Sequence, residues 1–227
     1  MTVTLITGAN KGIGFETAKQ LVERGHVVYL GARDVERGES AASSIGARFV
    51  HLDVTDEASV AGALAAIDAA EGRLDVLVNN AGVGDVTIDG PTALRVFDTN
   101  VVGIVRVTQA ALPLLRRSAN PNVVTISSSA GSFWAVTNPD RPEFHLRSTL
   151  YAASKAAATM LTLQYAKAHP DIKFNALEPG YTATDMTAAF GGGRPAEQSA
   201  RVVVKLATLG PDGPTGTLQD EDGVLRW

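Results

Sequence analysis

A short apolar run, Val3 to Thr7, leads directly into Thr7-Gly8-Ala9-Asn10-Lys11-Gly12-Ile13-Gly14 and then into a helix-like stretch from Phe15 to Arg24. Strand, glycine turn and helix in that order constrain the fold strongly. Gly8, Gly12 and Gly14 supply the positive φ and missing Cβ needed for a tight turn, for close approach of a pyrophosphate and for tight helix-on-sheet packing. Beyond the turn, the helix N-terminus offers unpaired N–H groups to an anion. The spacing is G-x-x-x-G-x-G rather than the G-x-G-x-x-G of the general dinucleotide fingerprint. Taken alone, it does not separate a dinucleotide site from a ligand-free glycine-rich βα turn.

The rest of the chain repeats this alternation. Strand patterns occur at His26 to Gly31, Arg48 to Leu52, Asp75 to Asn79, Asn122 to Ser127 and Lys173 to Leu177. Helical patterns occur at Val35 to Ile45, Glu57 to Glu71, Pro91 to Arg117 and from Tyr151 to about Ala168. The expected fold class is therefore α/β, a single-domain Rossmann-type doubly wound parallel sheet over residues 1–227, with helices on both faces. Ligands of such sheets sit beyond the carboxyl ends of the strands, where the Gly8 turn, Asn80, Ser128 and Gly180 all fall. A length of 227 residues at 45% hydrophobic suits one full core. The sequence has no cysteine, which removes disulfides and thiolate metal sites. His26, His51, His145 and His169 lack metal-like spacing, so no metal is expected. A net charge of −4 with mixed signs argues against nucleic acid as a partner. No apolar run approaches the ~20 residues of a membrane span, and the first residues lack a basic n-region, so the cytoplasm is the default location.

Chemistry enters with Tyr151-Ala152-Ala153-Ser154-Lys155, which sets a phenol and an ammonium on one face of a helix. A free tyrosine, with a pKa of roughly 10, is a poor acid or base at neutral pH. A nearby fixed positive charge favours its phenolate and moves that pKa towards the working range. Such a pair can pass a proton to or from an alcohol oxygen.

With both motifs present, the chain resembles the short-chain dehydrogenase/reductase family over nearly its whole length. Further family motifs follow in order: Asn79-Asn80-Ala81-Gly82 at the end of a strand, Asn100 within the next helical segment, Ser128 after the strand from Asn122, and Pro179-Gly180 after the strand from Lys173. The resemblance implies reversible hydride transfer between a nicotinamide and a carbonyl or alcohol carbon. In that scheme Tyr151 protonates the developing alkoxide, Ser128 hydrogen-bonds the same oxygen, Lys155 holds the ribose hydroxyls and stabilises the phenolate, and Asn100 anchors a relay water. Ser128 is chosen over Ser127 and Ser129 by its family spacing to Gly131. The implied cofactor residues are Gly8, Asn10, Lys11, Gly12, Ile13 and Gly14 on the first turn, and Asp53 and Val54 near the adenine. Asn80, Ala81, Gly82, Tyr151, Lys155, Pro179, Gly180, Thr182 and Thr184 complete them. Thr182 stands where the family more often has an aliphatic residue.

Cofactor choice is read from the end of the second strand, Tyr29-Leu30-Gly31-Ala32-Arg33. Ala32 offers no carboxylate to an adenosine ribose, while Arg33 and Lys11 can bind a 2′-phosphate. NADP(H) is expected. NAD(H) is the alternative, through Asp34, which reads instead as a cap for the helix beginning at Val35. The separation of Ser128 from Tyr151 exceeds the usual family spacing, and its polar stretch Asn138 to Glu143 predicts a surface loop at the rim of the crevice. With Asn10-Lys11, Ala32-Arg33-Asp34 and Gly213-Pro214-Thr215-Gly216, this insertion resembles the carbonyl-reductase branch. Phe133, Trp134 and Phe190 are candidate walls of an apolar pocket, with ordinary loop packing as the alternative for each.

The partner implied is a small carbonyl or alcohol substrate. Alanines along the Tyr151 helix allow a homo-oligomeric contact, and an insertion shielding that face leaves a monomer equally open. Two other functions fit the sequence less well. A methyltransferase on a related sheet has no use for Tyr151 and Lys155 with an upstream serine. A non-catalytic NAD(P)-binding redox sensor typically lacks one of that pair.

Overall fold

The computed structural model describes residues 1–188 and 191–227, so Phe190 lies outside the described residues. The strands are β1 (Val3–Thr7), β2 (Val27–Ala32), β3 (Arg48–His51), β4 (Val76–Asn79), β5 (Asn122–Ile126), β6 (Lys173–Leu177) and β7 (Thr217–Gln219). They form one seven-stranded sheet in the order β3-β2-β1-β4-β5-β6-β7. Every pairing is parallel. The order reverses at β1 and β4, which opens a crevice beyond their carboxyl ends.

Period-two alternation distributes the core. Leu5, Leu77, Val123 and Phe174 point to one face, and Ile6, Val78, Val124 and Leu177 to the other. The first face is covered by α3 (Glu57–Glu71), α5 (Gly103–Leu115) and α7 (Thr149–Ala168), through residues such as Ile67, Leu115 and Tyr165. The second is covered by α1 (Gly12–Val22), α2 (Val35–Ile45) and α8 (Ala196–Ala207), through Leu21, Ala42 and Val203. The doubly wound α/β architecture is thus as expected. Asp34 caps α2 by accepting from Arg37 N at 3.0 Å, which assigns it a structural task.

Three departures from the sequence pattern matter. The single helix expected from Pro91 to Arg117 divides into α4 (Gly90–Phe97), a π-helical turn at Asp98–Val102 and α5. Asn100 sits inside that turn and is buried, so one inserted residue's worth of backbone re-aims its side chain inward. Secondly, α8 and β7 carried no clear signal. Yet α8 keeps Glu197, Arg201 and Lys205 on one exposed face and buries the valine run on the other, while β7 is only three residues long. Thirdly, the stretch Asn138 to Glu143 is a surface loop only as far as Pro142. It follows α6 (Phe133–Thr137) and runs into a 3₁₀ turn at Pro142–His145. Glu143 within it is buried, held by Arg141 at 3.0 Å through both carboxylate oxygens. A polar sequence that forms its own internal ion pair can pack down where composition alone predicts exposure.

The 3₁₀ turn Ser129–Gly131 that follows β5 packs directly on α7. A Cβ on Gly131 would lie 2.6 Å from both Ala156 N and Lys155 C, which are backbone atoms with little freedom to move. Gly131→Ala is therefore expected to destabilise the protein by about 1–3 kcal/mol, the range for overpacking a close contact. A urea midpoint indistinguishable from that of the parent protein would contradict this.

Candidate active site

Tyr151 and Lys155 lie in the first turns of α7, on the face that meets the carboxyl end of β5. Lys155 is buried; its ammonium donates to Ile126 O at 2.7 Å and stands 5.6 Å from the centroid of the Tyr151 ring. The Ser128 side chain, whose Oγ accepts from Ala130 N at 3.2 Å, lies near enough to the Tyr151 hydroxyl to favour its ionised form. The neighbouring serines are engaged elsewhere. Ser127 Oγ bonds Lys155 O at 3.1 Å and Thr159 Oγ1 at 2.5 Å, and the Ser129 hydroxyl lies near Glu143 and helps to hold its carboxyl below the usual range. Ser128 is the member of the run nearest the phenol.

The electrostatics differ from the expectation that Lys155 would lower the Tyr151 pKa. Burial raises the phenol well above its usual value, and the charge of Glu178 raises it further; the nearby Ser128 opposes both only in part. Burial also lowers Lys155 to about 8, against the attraction of Glu178. The sequence supplied the pairing of charges but not their desolvation, and here desolvation is the larger effect.

Asn100 bridges two elements. Its Nδ2 donates to Val83 O at 2.8 Å and to Ser154 Oγ at 2.9 Å, and its Oδ1 accepts from Val83 N at 2.8 Å. Both Nδ2 hydrogens are thus used by protein, which leaves one acceptor site on Oδ1 and the main chain to hold a water. Gly82 lies between this residue and the lysine: a Cβ there would stand 3.5 Å from Asn100 Oδ1 and 3.6 Å from Lys155 Nζ.

On the other side of the crevice, Gly8 and Gly12 have φ of 62° and 60°. A Cβ on Gly8 would lie 2.9 Å from Ala81 Cα, so the turn after β4 is pressed against the glycine turn. Asn80 locks the two together, donating from Nδ2 to Thr7 O at 2.9 Å and Gly8 O at 3.0 Å. Ala81 N donates to Thr7 Oγ1 at 3.0 Å. Ile13 turns away and packs in the core. The N-terminus of α1 carries no side-chain cap, whereas α2, α3 and α4 are each capped by an aspartate. Open first-turn N–H groups beside a turn with no Cβ suit an anionic group such as a pyrophosphate. The residues present therefore fit a bound dinucleotide.

The remaining sequence candidates are distributed around this cradle. Asp53 accepts from Thr55 N at 2.9 Å and Thr55 Oγ1 at 2.7 Å and does not cap α3, a task taken by Asp56. Burial works against its charge, but the Thr55 bonds and nearby Arg33 hold its carboxyl below the usual range. Val54 is buried against Gly103. Arg33 lines an open groove of about 570 Å³ with Thr55, Arg95 and Arg106. Lys11 lines a separate groove of about 670 Å³ with Asn10, Phe15, Arg37 and Ser40, and pairs with Asp185 at 2.5 Å. The two cations expected to meet one phosphate thus line different grooves, and Arg37, absent from the sequence reading, accompanies Lys11. Thr184 leans on the glycine turn, 3.5 Å from where a Gly12 Cβ would be. Thr182 is buried, with its hydroxyl bonded to Gly180 O at 2.7 Å and to Ser199 at 2.6 Å. Trp134 packs against Ala176, Leu218 and Leu225, with Arg141 and Arg226 each 5.6 Å from its ring, which is ordinary packing rather than a pocket wall.

Two further residues escaped the sequence reading. Arg194 donates from Nε to Pro179 O at 3.1 Å and Ser199 Oγ at 3.0 Å, bracing the turn after β6 from behind. Glu178 accepts from the N–H groups of Ser129 and Gly180. A carboxylate just after the buried end of a strand, directly before Pro179-Gly180, was the signal available for it.

The short chain dehydrogenase family matches residues 2–194 of this sequence. The chain belongs to that family. Similar curated proteins include (−)-isopiperitenone reductase of Mentha piperita, 33% identical over 97% of this chain and 96% of that protein. Salutaridine reductase of Papaver bracteatum is 30% identical over 97% and 94%, respectively. Among solved structures, NADPH-bound carbonyl reductase from chicken fatty liver superposes with a TM-score of 0.87 at 27% identity, covering 100% of each chain. Membership makes this chain an oxidoreductase of short-chain type. Among the described residues no group of three or more His, Cys, Asp or Glu is arranged to hold a metal ion, and no helix is long and apolar enough to cross a membrane.

The short-chain dehydrogenase site carries a stability penalty that can be measured. The Lys155 pKa is about 8 in the folded protein against 10.5 for an ordinary lysine. Between those values the unfolded chain binds the extra proton, so this group's penalty is complete below pH 8 and is relieved as pH rises to 10.5. Lys155→Met is expected to raise Tm at pH 7 by a few °C while abolishing activity, with the gain shrinking toward pH 10. A lowered Tm at pH 7 would contradict the assignment of a net penalty.

Proposed function

We propose that the protein is an NADP(H)-dependent oxidoreductase that interconverts a small carbonyl compound and its alcohol, with Tyr151 as general acid and base. The observation that carries this reading is the Tyr151 phenol set beside Ser128 and the buried Lys155 ammonium, across the crevice from an uncapped glycine-turn helix. When bound, the nicotinamide supplies or accepts the hydride. Ser128 holds the substrate oxygen, and Tyr151 gives it a proton as negative charge develops. The raised Tyr151 pKa keeps that proton in place at neutral pH, which suits reduction better than oxidation. Lys155, largely charged below about pH 8, favours the phenolate left behind and is placed to meet a ribose. Asn100 fixes the Val83 turn and Ser154 beneath this pair, and its main chain would hold the water that returns a proton to Tyr151.

Several features support NADP(H) over NAD(H). Ala32 presents no carboxylate, Asp34 is occupied at the N-terminus of α2, and Arg33 forms no ion pair among the described residues. Lys11 and Arg37 border the groove beside the glycine turn and can add positive charge from that side. The reductase names of the relatives and the NADPH in the avian carbonyl reductase agree with this reading. A protein that only sensed the dinucleotide would have no use for the Ser128–Tyr151–Lys155 set.

Incubating the purified protein with NADPH and a panel of aldehydes, ketones and quinones tests the reading directly, through cofactor oxidation. Tyr151→Phe is expected to lower kcat by roughly 10²- to 10⁴-fold, the usual worth of general acid catalysis, with NADPH binding retained. A variant keeping more than about a tenth of the parent kcat removes Tyr151 from this role. For cofactor choice, kcat/KM with NADPH should exceed that with NADH at least about tenfold, which needs only ~1.4 kcal/mol of phosphate recognition. Replacing Ala32 with Asp together with Arg33 by Ala should reverse the ranking. A parent protein that prefers NADH overturns this part of the proposal.

A further inference from the structure

Register places Glu178 beside the catalytic turn. Ile126 pairs with Leu177 across β5 and β6, and Ser127 N donates to Leu177 O at 2.8 Å. Glu178 therefore leaves β6 alongside Ser127 and Ser128, one step beyond the position where Ile126 O holds the Lys155 ammonium. Its own N–H is fixed from the β7 side by Gln219 O at 2.7 Å. The carboxylate then spans two turns, accepting from Ser129 N with one oxygen and from Gly180 N at 2.7 Å with the other. Those two bonds leave acceptor sites on the carboxylate free and hold its charge in one place.

We propose that Glu178 is a third ionisable member of the Tyr151–Lys155 site, a positioning carboxylate that ties the Ser128 turn to the Pro179-Gly180 turn and holds protons on the phenol and the ammonium, so setting the pH range in which the site can donate a proton. The inference rests on the general-acid role given to Tyr151 above. Its electrostatic part has an unambiguous sign, because a fixed negative charge raises the proton affinity of every group near it. Glu178 is the charged residue that acts on both Tyr151 and Lys155. The other charges packed around it are matched in pairs. Arg141 and Glu143 face it across Ser129 and bind each other at 3.0 Å. Arg194, behind Pro179, is paired with Glu221. Glu178 forms no ion pair among the described residues, so no facing cation cancels its charge.

The test is the pH profile of the holoenzyme carrying Glu178→Gln. Reduction requires protonated Tyr151 and oxidation requires the phenolate, so loss of the carboxylate should move the fall of kcat for reduction and the onset of kcat for oxidation in the same direction, to lower pH. A displacement of about one pH unit is expected where a fixed charge acts on groups withdrawn from water. The dissociation constant for NADPH, followed by nicotinamide fluorescence without turnover, should begin its rise at correspondingly lower pH, because Lys155 loses its proton sooner. A purely structural role would lower kcat or Tm at every pH and leave these limbs in place. Glu178→Ser removes the charge without adding bulk and must give the same downward displacement if the amide variant is too unstable to assay. Limbs that stay within about 0.3 unit of the parent, or move upward, overturn the inference. Retention of activity by Tyr151→Phe would instead overturn the reading on which it rests.

Discussion

The close approach of the turn after β5 to the backbone of α7 governs the geometry of the site. Gly131 allows it: the nearest atoms to its missing Cβ are the backbone of Lys155 and Ala156, at 2.6 Å. That contact brings Lys155 Nζ to Ile126 O and Tyr151 to Ser128, so a helix on one face of the sheet and a strand end within it act as a single unit. The opposite wall is set in the same way, with Gly8 pressed against Ala81 and Asn80 locking the two turns through Thr7 and Gly8. Both walls depend on parallel strands whose carboxyl ends lie along one edge.

Desolvation at this edge explains why the site is chemically unusual. A tyrosine and a lysine removed from water are both driven toward their neutral forms, which opposes the simple idea that the ammonium activates the phenol. The carboxylate of Glu178 opposes that drift for the lysine and reinforces it for the tyrosine, leaving a protonated phenol beside a charged ammonium. Such an arrangement stabilises function at the expense of the fold, as expected where buried charge is retained.

What the sequence revealed divides by range of interaction. The glycine turn, α2 from Val35 to Ile45 and α3 from Glu57 to Glu71 were legible because caps, turn residues and periodicity are local signals. The Tyr151–Lys155 pair and the Ser128 to Gly131 spacing were legible because α7 and the β5 turn each carry their own motif. The π-helical turn around Asn100 was not, since its cause is a set of bonds to Val83 and Ser154, far away in the chain. Glu143 read as exposed because its burial depends on Arg141 and on Ser129 folding against it. The direction of the Tyr151 shift was misjudged for a related reason: a charge four residues away is visible in sequence, but loss of water is not.

The segment following β6 shows how the two walls are coupled. Arg194 holds Pro179 O from behind and Thr182 pairs with Arg194 in an isolated bridge, so the chain returns across its own turn. From there Thr184 rests on Gly12, and Asp185 reaches Lys11 on the glycine turn at 2.5 Å. One continuous run of residues therefore touches the Glu178 end of the site and the anion-binding end. A ligand that engaged Lys11 would compete with Asp185 for it. The ion pair is exposed and correspondingly weak, so such an exchange needs little free energy. The glycine turn and the Pro179-Gly180 turn are thus joined by the short segment from Thr182 to Asp185 as well as by the sheet.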